Sequence, residues 1–209
     1  MSDKPIILIG GGGHCKSVIE AAESSGRVIK GILDLPSTVG TECLGYKVIG
    51  TDDDIPLYVD ECEFIITLGF IKNPALRNKL HILVEKANGK FTTIVASTAH
   101  VSKYAEVKEG SVILHCATVN AGATIGKGCI INTHANIEHD VRIGNYCHVS
   151  TGVMVNGDCK VGDNTFIGSG STICNGVSIT SNVVLGAGSV VIKNITASGT
   201  YIGIPAKQI

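Results

Sequence analysis

The 209-residue sequence has no Trp, 4% aromatic residues and no excess of either charge: 17 Lys and Arg stand against 18 Asp and Glu. A chain so balanced has no bulk electrostatic reason to bind DNA, RNA or an anionic membrane. No apolar run approaches the ~18–20 residues that a membrane span needs. The start, Met1-Ser2-Asp3-Lys4-Pro5 followed by Ile6-Ile7-Leu8-Ile9, holds too short an apolar stretch for a signal peptide. The eight Cys include no C-x-x-C pair. They read as reduced thiols of a soluble cytoplasmic protein rather than as a disulfide framework. Hydrophobic residues at 44% exclude a disordered tail protein.

What is present divides into two halves, with the expected boundary at 95/96. Residues 1–95 alternate β and α. Ile6–Ile9 suits a buried parallel strand, and Gly10–Gly13 supplies a turn that other residues make only at a cost. Val18, Ile19, Ala21 and Ala22 share one face of a helix over His14–Ser25, stopped by Gly26. Strands follow at Val28–Leu33 and Glu63–Leu68, with a second helix from Pro74. A small open α/β sheet of this kind binds ligands beyond the carboxyl ends of its strands.

Residues 96–209 follow another rule. Every sixth residue from Val101 to Val191 is aliphatic, sixteen in succession. The fifth residue of each unit is small or β-branched, as in Ala117, Cys129, Cys147 and Cys159. The residue after the aliphatic one favours Gly, Asn or Ser, types that tolerate turn conformations. A strict six-residue period predicts a parallel β-helix in which three units close a triangular coil. A 3.6-residue helix cannot hold that phase on one face.

Polar exceptions to the repeat gather between Ile131 and His148, which contain three of the seven His. His139 and His148 are expected on neighbouring faces, flanking a shared edge. Asp140 adjoins His139, and for the two to pair the chain must bend there, because adjacent strand residues point to opposite faces. Cys15 lies in the Gly-rich turn, a place where a thiol could be reactive, although nothing near it in sequence activates it. The loop itself is a poor dinucleotide fingerprint, with Cys15 where Gly or Ala is wanted, so NAD is not expected.

The Gly-Gly-Gly-Gly-His14 start, the hexapeptide array, the Ile-Glu-His139-Asp-x-x-Ile-Gly segment and Gly203-Ile204-Pro205-Ala206-Lys207 together resemble bacterial sugar acetyltransferases of the NeuD/PglD type. The resemblance implies a Rossmann-like α/β domain followed by a left-handed parallel β-helix, assembled as a homotrimer with active sites between subunits. It implies acetyl-CoA as donor, no metal, and a nucleotide-linked amino sugar as acceptor, with a uridine-linked 4-amino sugar favoured. His139 would be the general base and Asp140 the carboxylate that orients it. Asn132, His148, Gly157, Ser169 and Ala187 would bind acetyl-CoA, with His148 and the Gly157 N–H near the thioester. Gly12, Gly13, His14, Asp34 and Gly69 would bind the nucleotide sugar, its phosphates against backbone N–H groups. Leu35-Pro36 stands where a second acidic residue would follow Asp34, a departure that bears on the base.

Three other functions compete. O-acetylation of a sialic acid or another sugar would use the same base. A zinc enzyme like the γ-type carbonic anhydrases would draw on His115, His134 and His139. A non-catalytic trimeric scaffold would need none of these groups.

Overall fold

The computed structural model describes residues 4–209. Strand β1 (Ile6–Ile9), helix α1 (Gly13–Ser24), β2 (Ile29–Leu33), β3 (Glu42–Cys43), β4 (Tyr46–Gly50), β5 (Glu63–Ile66), α2 (Ala75–Lys86) and β6 (Lys90–Phe91) form the first unit. Its sheet runs β3-β4-β2-β1-β5-β6, parallel except for the β3–β4 hairpin. The entirely apolar β1 is buried along its whole length, as expected of a parallel strand covered on both faces. Ile6 and Leu8 join Val18, Ile19 and Ala22 of α1 on one side; Ile7 and Ile9 join Leu80 and Val84 of α2 on the other. Element ends shift from the sequence reading by one or two residues. Pro74 caps α2 rather than entering it.

The second unit is a left-handed parallel β-helix of three walls, with eight, six and five strands. Strands at Ile94–Val95, His100–Val101 and Glu106–Val107 begin the first, second and third walls, and partners eighteen residues further on stack beneath them. The coil therefore starts at Ile94–Val95, one unit before the array read from Val101. The inward aliphatic residues and Cys129, Cys147 and Cys159 form one continuous buried core. The tail adds Gly199–Ile202 to the first wall, then turns back through Lys207–Gln208.

The turn residues obey the six-residue period at a different position from the one expected. Left-handed φ falls on every sixth residue from Gly110 to Gly188, three places after the aliphatic residue rather than one. The glycines directly after it are needed for another reason. A Cβ on Gly126 would lie 2.6 Å from the carbonyl of Gly144, and one on Gly168 would lie 2.5 Å from the Ala187 nitrogen. Those positions stay small because the next coil passes against them.

The α/β unit docks on the first wall. Cys15, Val18 and Ile19 of α1 pack with Ile94, Val112, Leu114 and Ile130. Cys15 is fully buried there, and burial pushes its thiol up to about 12, so it is not the reactive cysteine its place in the loop suggested. From α2, Arg77 reaches the Gly128 carbonyl and Asn78 Nδ2 donates to Asn164 Oδ1 at 2.8 Å. No helix among the described residues is long and apolar enough to cross a membrane.

Candidate active site

Asp140 has φ +61°, one of the periodic left-handed turn residues. That backbone supplies the bend the pair requires. His139 Nδ1 lies 2.9 Å from Asp140 Oδ2, and both side chains are 59% exposed. A carboxylate accepts, so Nδ1 carries the proton and Nε2 keeps its lone pair. The hydrogen bond that His139 donates to Asp140, and then the Asp140 charge, raise the imidazole above its ordinary value. Glycines lie on both sides of the dyad. Gly122, one coil earlier, faces the Asp140 carboxylate, and Gly157, one coil later, faces His139 Cε1 and Nε2. The Gly157 carbonyl accepts from Gly176, while its N–H has no acceptor among the described residues.

His148 belongs to a separate place. It projects from the first wall and is buried beneath the loop after β5. Its Nδ1 donates to the Phe70 carbonyl at 2.8 Å, so Nε2 is the acceptor and meets Asn132 Nδ2 at 3.3 Å. Phe70 and Phe166 contact the ring edge-on at 5.8 and 5.2 Å. Burial, opposed by the Phe70 hydrogen bond and aided by the Arg77 charge, lowers its pKa to about 4. The ring is neutral at pH 7.

The expectation that His139 and His148 flank one edge is not met within a single chain. His139 occupies the edge between the second and third walls, opposite the first wall that carries His148. His134 sits on yet another edge, between the first and second walls. Asn132, Ser169 and Ala187 run down that same edge, where Ser169 Oγ is 2.8 Å from Ser150 Oγ. Gly157 shares the edge of His139.

In the α/β unit, Gly11 N–H donates to Asp34 Oδ2 at 3.0 Å, tying the glycine loop to the end of β2. Gly10 has φ +105°, and a side chain there would collide with Leu68. A Cβ on Gly12 or Gly13 would meet nothing within 4 Å, so the start of α1 presents open backbone. A cavity of about 340 Å³ opens beside it, lined by Gly10, Gly11, Gly12, Asp34, Leu35, Asp52, Leu68, Leu76 and Leu80. His14 and Gly69 are not part of its lining and lie against His148; the His14 and His148 ring centroids are 6.2 Å apart. Burial first, then the charges of His148 and Arg77, lower His14 to about 3. A larger cavity of about 400 Å³, between Arg27, Glu63 and the first coil, holds an ion pair and no group suited to proton transfer.

Over residues 5–82 the sequence matches the family described as the PglD N-terminal domain, and over 122–157 and 158–193 the bacterial transferase hexapeptide. Among solved structures, PerB from Caulobacter crescentus in complex with CoA and GDP-perosamine is 31% identical. That match covers 97% of this chain and 96% of the other, with a TM-score of 0.90. The acetyltransferase domain of PglB from Neisseria gonorrhoeae, in complex with acetyl coenzyme A, is 28% identical over the whole of both chains, with a TM-score of 0.91. WeeI from Acinetobacter baumannii is 26% identical over 97% and 98% of the chains, with a TM-score of 0.86. The chain belongs to the PglD-type hexapeptide-repeat sugar acetyltransferases. A comparison with curated proteins gave no match.

In this acetyltransferase three features escaped the sequence reading. Asp52, on the 3-10 turn Asp52–Leu57, lines the cavity beside the glycine loop. Arg77 is 1% exposed, donates to the Leu68 and Gly128 carbonyls, contacts His81 Nε2 at 3.1 Å and has no carboxylate partner among the described residues. Ser150 continues the Asn132 column. Their roles come from contacts between distant segments, and no short motif announces them.

Proposed function

We propose that this enzyme transfers the acetyl group of acetyl-CoA to the amino group of a nucleotide-linked amino sugar, by direct attack within a ternary complex. The observation that carries the reading is the His139–Asp140 dyad, protonated at Nδ1 and open at Nε2, on an exposed edge of the solenoid. Nε2 takes a proton from the amine as nitrogen attacks the thioester carbon. The C–S bond then breaks and the CoA sulfur leaves as thiolate, to be protonated. The free Gly157 N–H is a donor for the oxygen that gains charge. No enzyme nucleophile is required.

The acetyl-CoA arm lies along the column of Asn132, Ser169 and Ala187, with His148 beside it on the first wall, one coil after Asn132. That column and the His139 edge are two different edges of one prism, separated by the width of the second wall, so a site using both is completed by a second subunit. This geometry supports a homotrimer with active sites at its subunit contacts. The nucleotide sugar occupies the cavity at the start of α1, where Gly12, Gly13 and His14 offer backbone N–H groups to phosphate and Asp34 faces the ribose. The relative crystallised with CoA and GDP-perosamine supports the same two classes of ligand here, CoA and a nucleotide-linked amino sugar. The uridine favoured from the resemblance is one of the bases that the assay below compares.

The test is thiol release from acetyl-CoA against UDP-, GDP- and dTDP-linked 4-amino sugars, with free sialic acid and His139→Ala as controls. Release that depends on an amino sugar nucleotide and falls by about two to four orders of magnitude in the variant supports the assignment. Release with sialic acid alone would replace N- by O-acetylation. An active monomer at assay concentration would remove the shared site.

A further inference from the structure

The cavity beside the glycine loop is apolar on its flanks and acidic on one side. Leu35 and Leu76 line it although 64% and 56% exposed, two large apolar side chains left facing water. A flat ring between them would cover both. Its polar side chains are Asp34 and Asp52. Asp34 already accepts the Gly11 N–H through Oδ2. On the adjoining turn, Asp54 is committed to the cap, accepting the Thr51 N–H at 2.8 Å. Asp52 is half-buried and accepts no hydrogen bond among the described residues. Lys79, across an adjoining cavity of about 230 Å³ that both aspartates also line, is the nearby cation.

A carboxylate repels a diphosphate, so Asp52 faces the base end of the ligand, away from the backbone donors at α1. There the donor pattern of the base decides. Guanine presents two adjacent donors, N1–H and the N2 amino group, which match the two oxygens of one carboxylate, beside an O6 acceptor suited to an ammonium. Uracil and thymine present one N–H between two carbonyls, so the second carboxylate oxygen meets a carbonyl. Resting on the assignment of this cavity to a nucleotide sugar, we infer that Asp52 reads the base and that the acceptor is linked to guanosine diphosphate. Asp52 makes the bidentate pair, Lys79 faces O6, and Leu35 and Leu76 flank the ring. Paired hydrogen bonds of this kind discriminate between bases by about tenfold or more.

The experiment is calorimetric titration of the full-length protein with GDP, IDP, UDP and dTDP, repeated for Asp52→Asn and Asp52→Ala, with acetyl-CoA binding as the check on folding. IDP lacks only the N2 amino group. GDP is expected to bind at least tenfold tighter than UDP or dTDP, and several-fold tighter than IDP. In both variants the GDP and IDP affinities converge while acetyl-CoA binding is retained. UDP binding as tightly as GDP would overturn the guanine assignment and leave the cavity a nucleotide site. A preference for GDP over IDP that survives both substitutions would overturn the role of Asp52. If no diphosphate binds, the nucleotide-sugar reading of the cavity falls with it.

Discussion

Gly157→Ala tests whether the placement of the His139 ring controls turnover. A Cβ at this position would sit 2.6 Å from both Cε1 and Nε2 of His139 and 3.3 Å from Cδ2. Carbon contacts of this type relax to about 3.6 Å, so the ring must retreat by roughly 1 Å. The backbone at Gly157 is outside the left-handed region, so alanine is tolerated there and the strain falls on the exposed imidazole. Retreat also stretches the 2.9 Å bond to Asp140. A misplacement of about 1 Å in a reacting group costs on the order of a hundredfold. In the thiol-release assay kcat should fall about a hundredfold, with KM for acetyl-CoA and the thermal midpoint little changed. The double variant Gly157→Ala/His139→Ala should be no slower than His139→Ala alone, because the first change acts only through the ring. Wild-type turnover in the single variant, or a further loss in the double one, would refute the reasoning.

Other expectations follow from the same geometry. Asp140→Asn removes the group that raises His139, so the acidic limb of the kcat/KM profile should move to lower pH while the maximum falls; an unmoved limb would mean that another group titrates there. His148→Ala should raise KM for acetyl-CoA more than for the nucleotide sugar, and equal effects on both would place His148 elsewhere. His14, His81 and His148 are held neutral by burial, with pKa values lowered to about 3, 3 and 4. Unfolding returns them to about 6.5, so the unfolded chain binds protons that the folded chain refuses. Stability is then full above that pH and is lost as pH falls toward 4, by roughly 2 kcal/mol per histidine at pH 5. Urea midpoints at pH 7 and pH 5 measure this, and equal midpoints would contradict buried neutral rings.

The solenoid was legible because its rule is local. One inward aliphatic residue every six fixed the phase from Val101 to Val191, and the small slot correctly placed Cys129, Cys147 and Cys159 in the core. The pairing of His139 with Asp140 was half legible. The residues were adjacent, but the bend depends on Asp140 being the left-handed position, and the turn phase had been read two residues too early. The burial of His148 was illegible, because it depends on Phe70, 78 residues away in sequence. The β3–β4 hairpin was missed because its turn is Leu44-Gly45, and Leu44 at φ +49° is not a residue that announces a hairpin. Asp52 is one of three consecutive acidic residues, and only the fold sets it beside Asp34.

The eighteen-residue coil also makes the protein a ruler. Neighbouring strands in one wall are about 4.8 Å apart, so each coil advances the Asn132 column by that step. Asn132, Ser150, Gly168 and Gly186 are successive marks, each aligned by the strand register beside it. With acetyl-CoA seated as proposed, the length of donor that fits along this edge is set in whole coils. An inserted or deleted stretch of eighteen residues moves that far end by one step and keeps every inward side chain inward. A change of seventeen or nineteen breaks the register of the whole edge. Lengthening the groove by whole coils would leave the catalytic corner as it stands.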